Sequence, residues 1–154
     1  MELIGLRFWA SLAAVLLADR VSKIWIVNNF SPGESQALFN PFLFLTYVQN
    51  RGGAFGILQG QSWFFLICAF ILIIAMVFCY YRFQVPPSIA ALMGILTGGA
   101  MGNLVDRWIY GYVVDFFDLR WWPVFNIADV AILCGGVLLV WFIVIRNTGG
   151  FLND

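Results

Sequence analysis

The sequence predicts an all-α membrane protein of four transmembrane helices, with a small β-containing cap between the first and the second. Three observations predict it. The chain is 62% hydrophobic and 10% charged, against roughly 45–50% and about 25% in a soluble domain. Four segments are apolar and long enough, at ~1.5 Å per residue, to cross a hydrocarbon core. The one long polar interval, residues 28–62, is broken by Pro32, Gly33, Pro41, Gly52, Gly53, Gly56 and Gly60. A length of 154 residues suits one compact bundle and hence a single domain.

The first helix is expected over about residues 3–27. Arg7 precedes an apolar run from Phe8 to Ala18, as in a signal peptide. The small residues of a cleavage site are missing, however, and Asp19, Arg20 and Lys23 follow, so a retained helix is expected. Asp19 and Lys23 stand four apart on one face, acid first. They suit either an ion pair at the membrane interface or a brace for a nearby site. In the cap, Leu43 to Val48 is rich in β-formers and predicts a short strand. Asn50 to Phe55 reads as a turn, and the surrounding aromatic residues suit the membrane interface.

The second helix, about residues 63–81, is nineteen consecutive apolar residues. It predicts a lipid-facing structural span, with Tyr80, Tyr81 and Arg82 at its interfacial end. Pro86 and Pro87 close a short loop and open the third helix, where a first-turn proline is tolerated. That helix, about residues 88–105, carries Gly94, Gly98 and Gly102, a ridge of small residues for close packing. The fourth is expected over about residues 124–145, ending at Arg146, with Asn147 to Asp154 as a polar tail.

Composition also excludes chemistry. Net charge is zero, so no basic footprint for nucleic acid exists. The chain has no histidine, which removes Ser-His-Asp and Cys-His catalysis and an H-E-x-x-H zinc site. Carboxylates are the main acid–base groups left. Cys68, Cys79 and Cys134 all lie in apolar runs and predict buried, inert thiols rather than a disulfide framework or a zinc site. No metal or cofactor is called for.

Connectivity collects the polar residues. The first helix ends, the second starts, the third ends and the fourth starts on the same side of the membrane. Asp19, Lys23, Asn50, Asn103, Asp106, Arg107, Asp115, Asn126 and Asp129 therefore share that side. The opposite side holds the termini and a tiny Pro loop. Arg20, Lys23, Arg51, Arg107 and Arg120 lie on the polar side, and Arg7, Arg82 and Arg146 on the bare one. The positive-inside rule alone would put the polar side in the cytoplasm.

Two copies of Asn-x-x-Asp, Asn103 to Asp106 and Asn126 to Asp129, would each present an amide and a carboxyl on one helix face. Asp129 would sit roughly 8 Å into its helix. Asp106 precedes Arg107, and Asp118 lies two residues before Arg120, so both have a cation in reach. Asp115 and Asp129 stand among apolar neighbours. Two carboxylates brought close cannot both ionise. One would activate water and the other would protonate a carbonyl, which is aspartic peptidase chemistry. Interfacial caps or ion-pair members account for them equally well on spacing alone.

These blocks resemble bacterial lipoprotein signal peptidase, signal peptidase II. Asp19-Arg-Val-Ser-Lys23 is similar to its D-x-x-[ST]-K block, and Asn50-Arg-Gly-Gly-Ala-Phe55 to N-x-G-A-A-F. Gly98 to Arg107 is similar to G-G-x-x-G-N-x-x-D-R. Val113 to Phe116 and Phe125 to Asp129 resemble the two blocks with the catalytic aspartates. Gly53 departs from the usual alanine, which adds flexibility to the turn. The resemblance implies an endopeptidase that removes signal peptides from diacylglyceryl-modified prolipoproteins, cutting before the lipidated cysteine. It implies Asp115 and Asp129 as the catalytic pair, with Asp19, Lys23, Asn50, Gly53, Asn103, Asp106, Arg107 and Asn126 supporting them or positioning substrate. It implies the bacterial inner membrane, with the site at the extracytoplasmic face and both termini in the cytoplasm. Lipidated prolipoproteins and membrane lipid are the expected partners of a monomer.

Three other functions compete on the residues. A Ser22–Lys23 peptidase is disfavoured because adjacent helical residues do not face each other. A channel would use the acids as an ion-binding ring, but the second helix and bare side offer no polar path. A structural membrane subunit would survive loss of either aspartate.

Overall fold

The computed structural model describes residues 2–53 and 57–150. In order, these form α1 (Glu2–Asn29), β1 (Ser35–Phe39), β2 (Leu43–Asn50), α2 (Ser62–Arg82), α3 (Pro87–Tyr110), β3 (Val113–Asp118) and α4 (Ile127–Gly150). Ala54 and Phe55 of the expected turn, and residues 151–154 of the expected tail, lie outside the described residues.

The protein is mostly helical, with one small antiparallel sheet of order β1-β2-β3. Among the described residues, α2, α3 and residues 127–144 of α4 are long and apolar enough to cross a membrane. The helix α1 differs from them because it carries Arg7, Asp19, Arg20 and Lys23.

The third helix is the hub, packed against α1, α2 and α4. The reason is its small residues. A Cβ on Gly94 would run into the Phe8 carbonyl oxygen and the Ser11 hydroxyl, and one on Gly98 would lie 2.6 Å from the Leu12 carbonyl oxygen. A Cβ on Gly102 would collide with the Asp19 carboxylate, and one on Gly99 would lie 2.6 Å from the Ala128 carbonyl oxygen. The expected ridge thus seats α1, and the neighbouring Gly99 seats α4. Gly98→Ala is expected to cost about 1–3 kcal/mol, the usual toll of overpacking, read as a lower unfolding temperature in detergent. Gly136→Ala, where a Cβ meets only Leu96 Cδ1 at 3.7 Å, is the neutral control. Equal melting of both variants would refute the ridge.

Away from the sheet, Phe8, Leu12, Ile89, Ala90 and Met93 form a buried core, with Tyr80 stacked on Phe8 at 4.4 Å. At the sheet end, Ile26 and Phe30 of α1 pack on Tyr47, Val114 and Phe116. As expected, α2 buries none of its residues.

Several expectations need correction. The cap is not confined to residues 28–62, because its innermost strand is β3, from the α3–α4 connection. Val113-Val-Asp-Phe-Phe is a β-branched and aromatic run, and four of its residues are buried. The third helix runs on to Tyr110, since nothing breaks it before Gly111, which caps it in the left-handed conformation at φ 74°. The fourth starts at Ile127 rather than Val124 because Phe125 is held in a backbone bridge to Phe117. It continues past Arg146 to Gly150. The three cysteines are free, but Cys68 and Cys134 are exposed on the outer faces of α2 and α4, and only Cys79 is partly buried.

Candidate active site

Around Asp19 the chain buries a charge cluster. Lys23 Nζ lies 2.9 Å from Asp19 Oδ2 and 2.9 Å from Asp106 Oδ2, and it donates to Asn103 Oδ1 at 2.9 Å. Arg20 donates to Asp106 Oδ1 and lies 3.6 Å from Asp19 Oδ2. Asp19 is 0% and Lys23 2% exposed, so this is a buried network rather than an interfacial ion pair. The remaining oxygens tie down backbone. Asp19 Oδ1 accepts from Ala128 N at 3.1 Å, and Asp106 Oδ2 accepts from Val114 N at 3.1 Å. The cluster thus fixes the start of α4 and the residue before Asp115.

Asp106 takes its cations from α1, not from Arg107. Neighbours on a helix point different ways. Arg107 instead donates to the Gly52 carbonyl oxygen at 3.2 Å and lies over the Phe65 ring at 5.1 Å. Asp118 pairs with Arg120 at 3.4 Å and accepts from Thr46, on the outer part of the sheet. Ser22 donates to the Asp19 carbonyl oxygen, and Lys23 is committed to its three oxygens. A Ser22–Lys23 nucleophile has no geometric basis.

Three asparagines hold the other two acids, and two of them, Asn103 and Asn126, link those acids to the cluster. Asn103 Nδ2 donates to Asp129 Oδ1 at 2.7 Å. Asn126 Nδ2 donates to Asp115 Oδ1 at 2.7 Å, and Asn50 Nδ2 donates to Asp115 Oδ2 at 2.8 Å. Register explains the last contact, since β2 and β3 pair Val48 with Asp115 and Asn50 with Val113.

The second Asn-x-x-Asp is a different object from the first. Asn126 precedes the first residue of α4. Its Oδ1 accepts from Asp129 N at 2.9 Å, while Asp129 Oδ2 accepts from Asn126 N at 3.2 Å. This is a reciprocal capping box. Asp129 is thus the third residue of α4, roughly 3 Å along it, rather than 8 Å deep. A carboxylate there also faces the positive end of the helix dipole.

Asp115 and Asp129 line one cleft of about 300 Å³, with Asn50, Gly53, Arg107, Trp122 and Phe125 among its walls. Asp115 is 1% exposed. Burial, and next the charge of Asp129, push its carboxyl up to about 7, against the opposing pull of the Asn50 amide, Lys23 and the Asn126 amide. Beside Asp129 the cleft continues into an apolar groove of about 330 Å³ walled by Trp121, Trp122, Val130, Leu133 and Cys134.

Gly53 has a local reason beyond flexibility. A Cβ there would sit 2.7 Å from the end of the Phe65 ring, the ring that Arg107 covers. The candidate residues read from the sequence lie in the cluster or line the cleft, except Asn126, which bridges the two through Asn103 and Asp115. Arg20 is the residue that sequence reasoning missed. The signal was a second cation beside Asp19, facing an otherwise unbalanced Asp106.

A family model described as "Signal peptidase (SPase) II" matches residues 11–145. The lipoprotein signal peptidase of Syntrophomonas wolfei is 52% identical over 135 residues, covering 88% of this chain and 91% of that protein. Its counterpart from Moorella thermoacetica is 44% identical over 129 residues, covering 82% and 85%. A solved bacterial membrane enzyme structure, obtained by the in meso method at 2.3 Å resolution, superposes with a TM-score of 0.83 at 32% identity. It covers 92% of this chain and 88% of that one.

Proposed function

The chain belongs to the signal peptidase II family, and we propose that it is a membrane aspartic endopeptidase using Asp115 and Asp129. Its substrates are diacylglyceryl-modified prolipoproteins, cut before the lipidated cysteine. The observation that carries this is the sharing of one cleft by two carboxylates, each held by asparagine amides, with Asp115 kept protonated to about pH 7. Asp129 takes a proton from water as the oxygen attacks the scissile carbonyl carbon. Asp115 gives its proton to the carbonyl oxygen. The tetrahedral intermediate then collapses, the amine leaves with a proton, and the pair returns to its starting state.

Surroundings support this substrate. The apolar groove beside Asp129 suits acyl chains, which contribute about 0.8 kcal/mol per buried CH₂. Leu38, Phe39 and Phe42, at the β1–β2 turn, are exposed, which suits insertion at the membrane surface. The outward face of α1, with Leu6, Leu17, Val21 and Ile24 exposed, supports α1 as the fourth span. Its Asp19, Arg20 and Lys23 turn inward to the cluster. By family resemblance the protein is a monomer of the bacterial inner membrane, with this cleft at the extracytoplasmic face and both termini in the cytoplasm.

The test is cleavage by the full chain, purified in detergent, of a peptide bearing a diacylglyceryl cysteine. The product should end just before that cysteine, and the same peptide without lipid should remain intact. Efficient cutting of both would contradict the substrate assignment. The same assay has a pH dependence of fixed sign. Asp115 holds its proton below about 7 and loses it above, leaving no acid to protonate the carbonyl oxygen. Thus kcat/KM should fall as pH rises through neutrality, and a flat alkaline limb would remove Asp115 from the role of acid.

A further inference from the structure

We propose that Arg20 is a positioning residue for Asp115 and Asp129, acting by balancing the buried Asp19–Lys23–Asp106 charge cluster. The inference rests on the aspartic reading above. Arg20 stands where the D-x-x-[ST]-K pattern leaves the residue open. It lines a separate cleft of about 150 Å³ with Ile24, Val27, Asn28 and Tyr110, so it acts on the pair through other residues.

The argument is one of charge and donor count. Asp19 and Asp106 are two buried acids, and Lys23 is one buried cation. Arg20, 21% exposed at its side chain, supplies the second positive charge. An ammonium has three N–H donors, and Lys23 directs them at Asp19, Asp106 and Asn103. The Asn103 bond is the route to Asp129, through Asn103 Nδ2. The Asp106 bond to Val114 N is the route to Asp115.

Without Arg20 the cluster carries a net negative charge. Two carboxylates then compete for one lysine, which draws it away from Asn103 and leaves Asp106 with a single cation. Both routes to the pair slacken. The groups that face Asp115 are Asp129 from α4, Lys23 from α1 and Arg107 from α3. An uncompensated negative charge behind β3 makes Asp115 hold its proton to still higher pH.

The experiment uses the detergent-purified full chain and the lipidated peptide, with Asp115→Asn run in parallel. Arg20→Gln should lower kcat by about 10–100-fold, the scale of a slight misplacement of reacting groups, with KM little changed. Its alkaline limb should move to higher pH. Arg20→Lys should recover most of kcat and restore the limb. Arg20→Gln combined with Asp106→Asn removes one charge of each sign and should be more active and more stable than Arg20→Gln alone. A merely structural Arg20 would give additive losses and an unmoved limb. Wild-type kcat and pH profile in Arg20→Gln overturn the inference, as does a double variant worse than the single one. Should Arg20→Gln fail to fold, the inference requires the double variant to fold, and its failure is equally fatal. Turnover by Asp115→Asn would overturn the aspartic reading itself, whereas an inactive Asp115→Asn beside an unaffected Arg20→Gln would overturn only the role of Arg20.

Discussion

Asp129→Asn is expected to reduce cleavage of a lipidated substrate by roughly 10³–10⁴-fold, at or beyond the upper range for loss of a positioned acid or base, while the protein stays folded. An amide cannot take a proton from water at neutral pH, so the loss falls on kcat. Folding is spared because the side chain at this position is only partly buried, so water can serve whichever donor, Asn103 Nδ2 or Asn126 N, the introduced N–H₂ comes to face. Asp115→Asn should be equally inactive. It is the less gentle change, because Asp115 is buried and accepts from two side-chain amides, one of which would face an N–H₂. Turnover is read by mass spectrometry of the peptide products and folding by thermal unfolding in detergent. Robust cleavage by either folded variant would end the paired-carboxylate mechanism.

Lys23→Met is expected to be the most damaging single change to the fold, costing about 3–5 kcal/mol, the scale for removing one partner of a buried ionic network. Methionine matches the stem but leaves Asp19, Asp106 and the Asn103 carbonyl oxygen without the group that bridges them. Asp19 also holds Ala128 N, and Asp106 holds Val114 N, so the loss spreads to the start of α4 and to β3. A large fall in unfolding temperature, with loss of cleavage, is the expected result. A variant that melts like wild type would show that the ammonium is dispensable to the fold. Arg120→Ala is the contrast. Its pair with Asp118 is half-exposed at the arginine, and such pairs contribute at most about 1 kcal/mol.

Local pattern makes much of this legible. Glycines four apart announce the α3 ridge, and a lysine four residues after an acid announces the Asp19–Lys23 pair. Connectivity alone brings the polar residues to one end. Pairing between distant segments stays hidden. Val113 to Asp118 draws the eye through its two acids, and the β-forming residues between and before them, which make it β3, are easily passed over. Asn126 and Asp129 have the spacing of a helix face, yet a residue ahead of the first turn makes the same spacing a capping box. Asp106 has Arg107 as its sequence neighbour, while its cations come from a helix some eighty residues away. Spacing cannot show which remote helix lies behind a carboxylate.

The capping box at the head of α4 sets the order in which the protein becomes competent. Asp129 is oriented by Asn126 only once the first turn of α4 has formed, and Asp19 reaches its backbone partner Ala128 in that same turn. A nascent chain emerging with α1, the sheet and α3 complete still lacks its second carboxylate and the anchor for its first helix. On the paired-carboxylate reading proposed above, every intermediate before the last helix enters the bundle is inert, so the order of synthesis itself keeps the protease silent while it is being made.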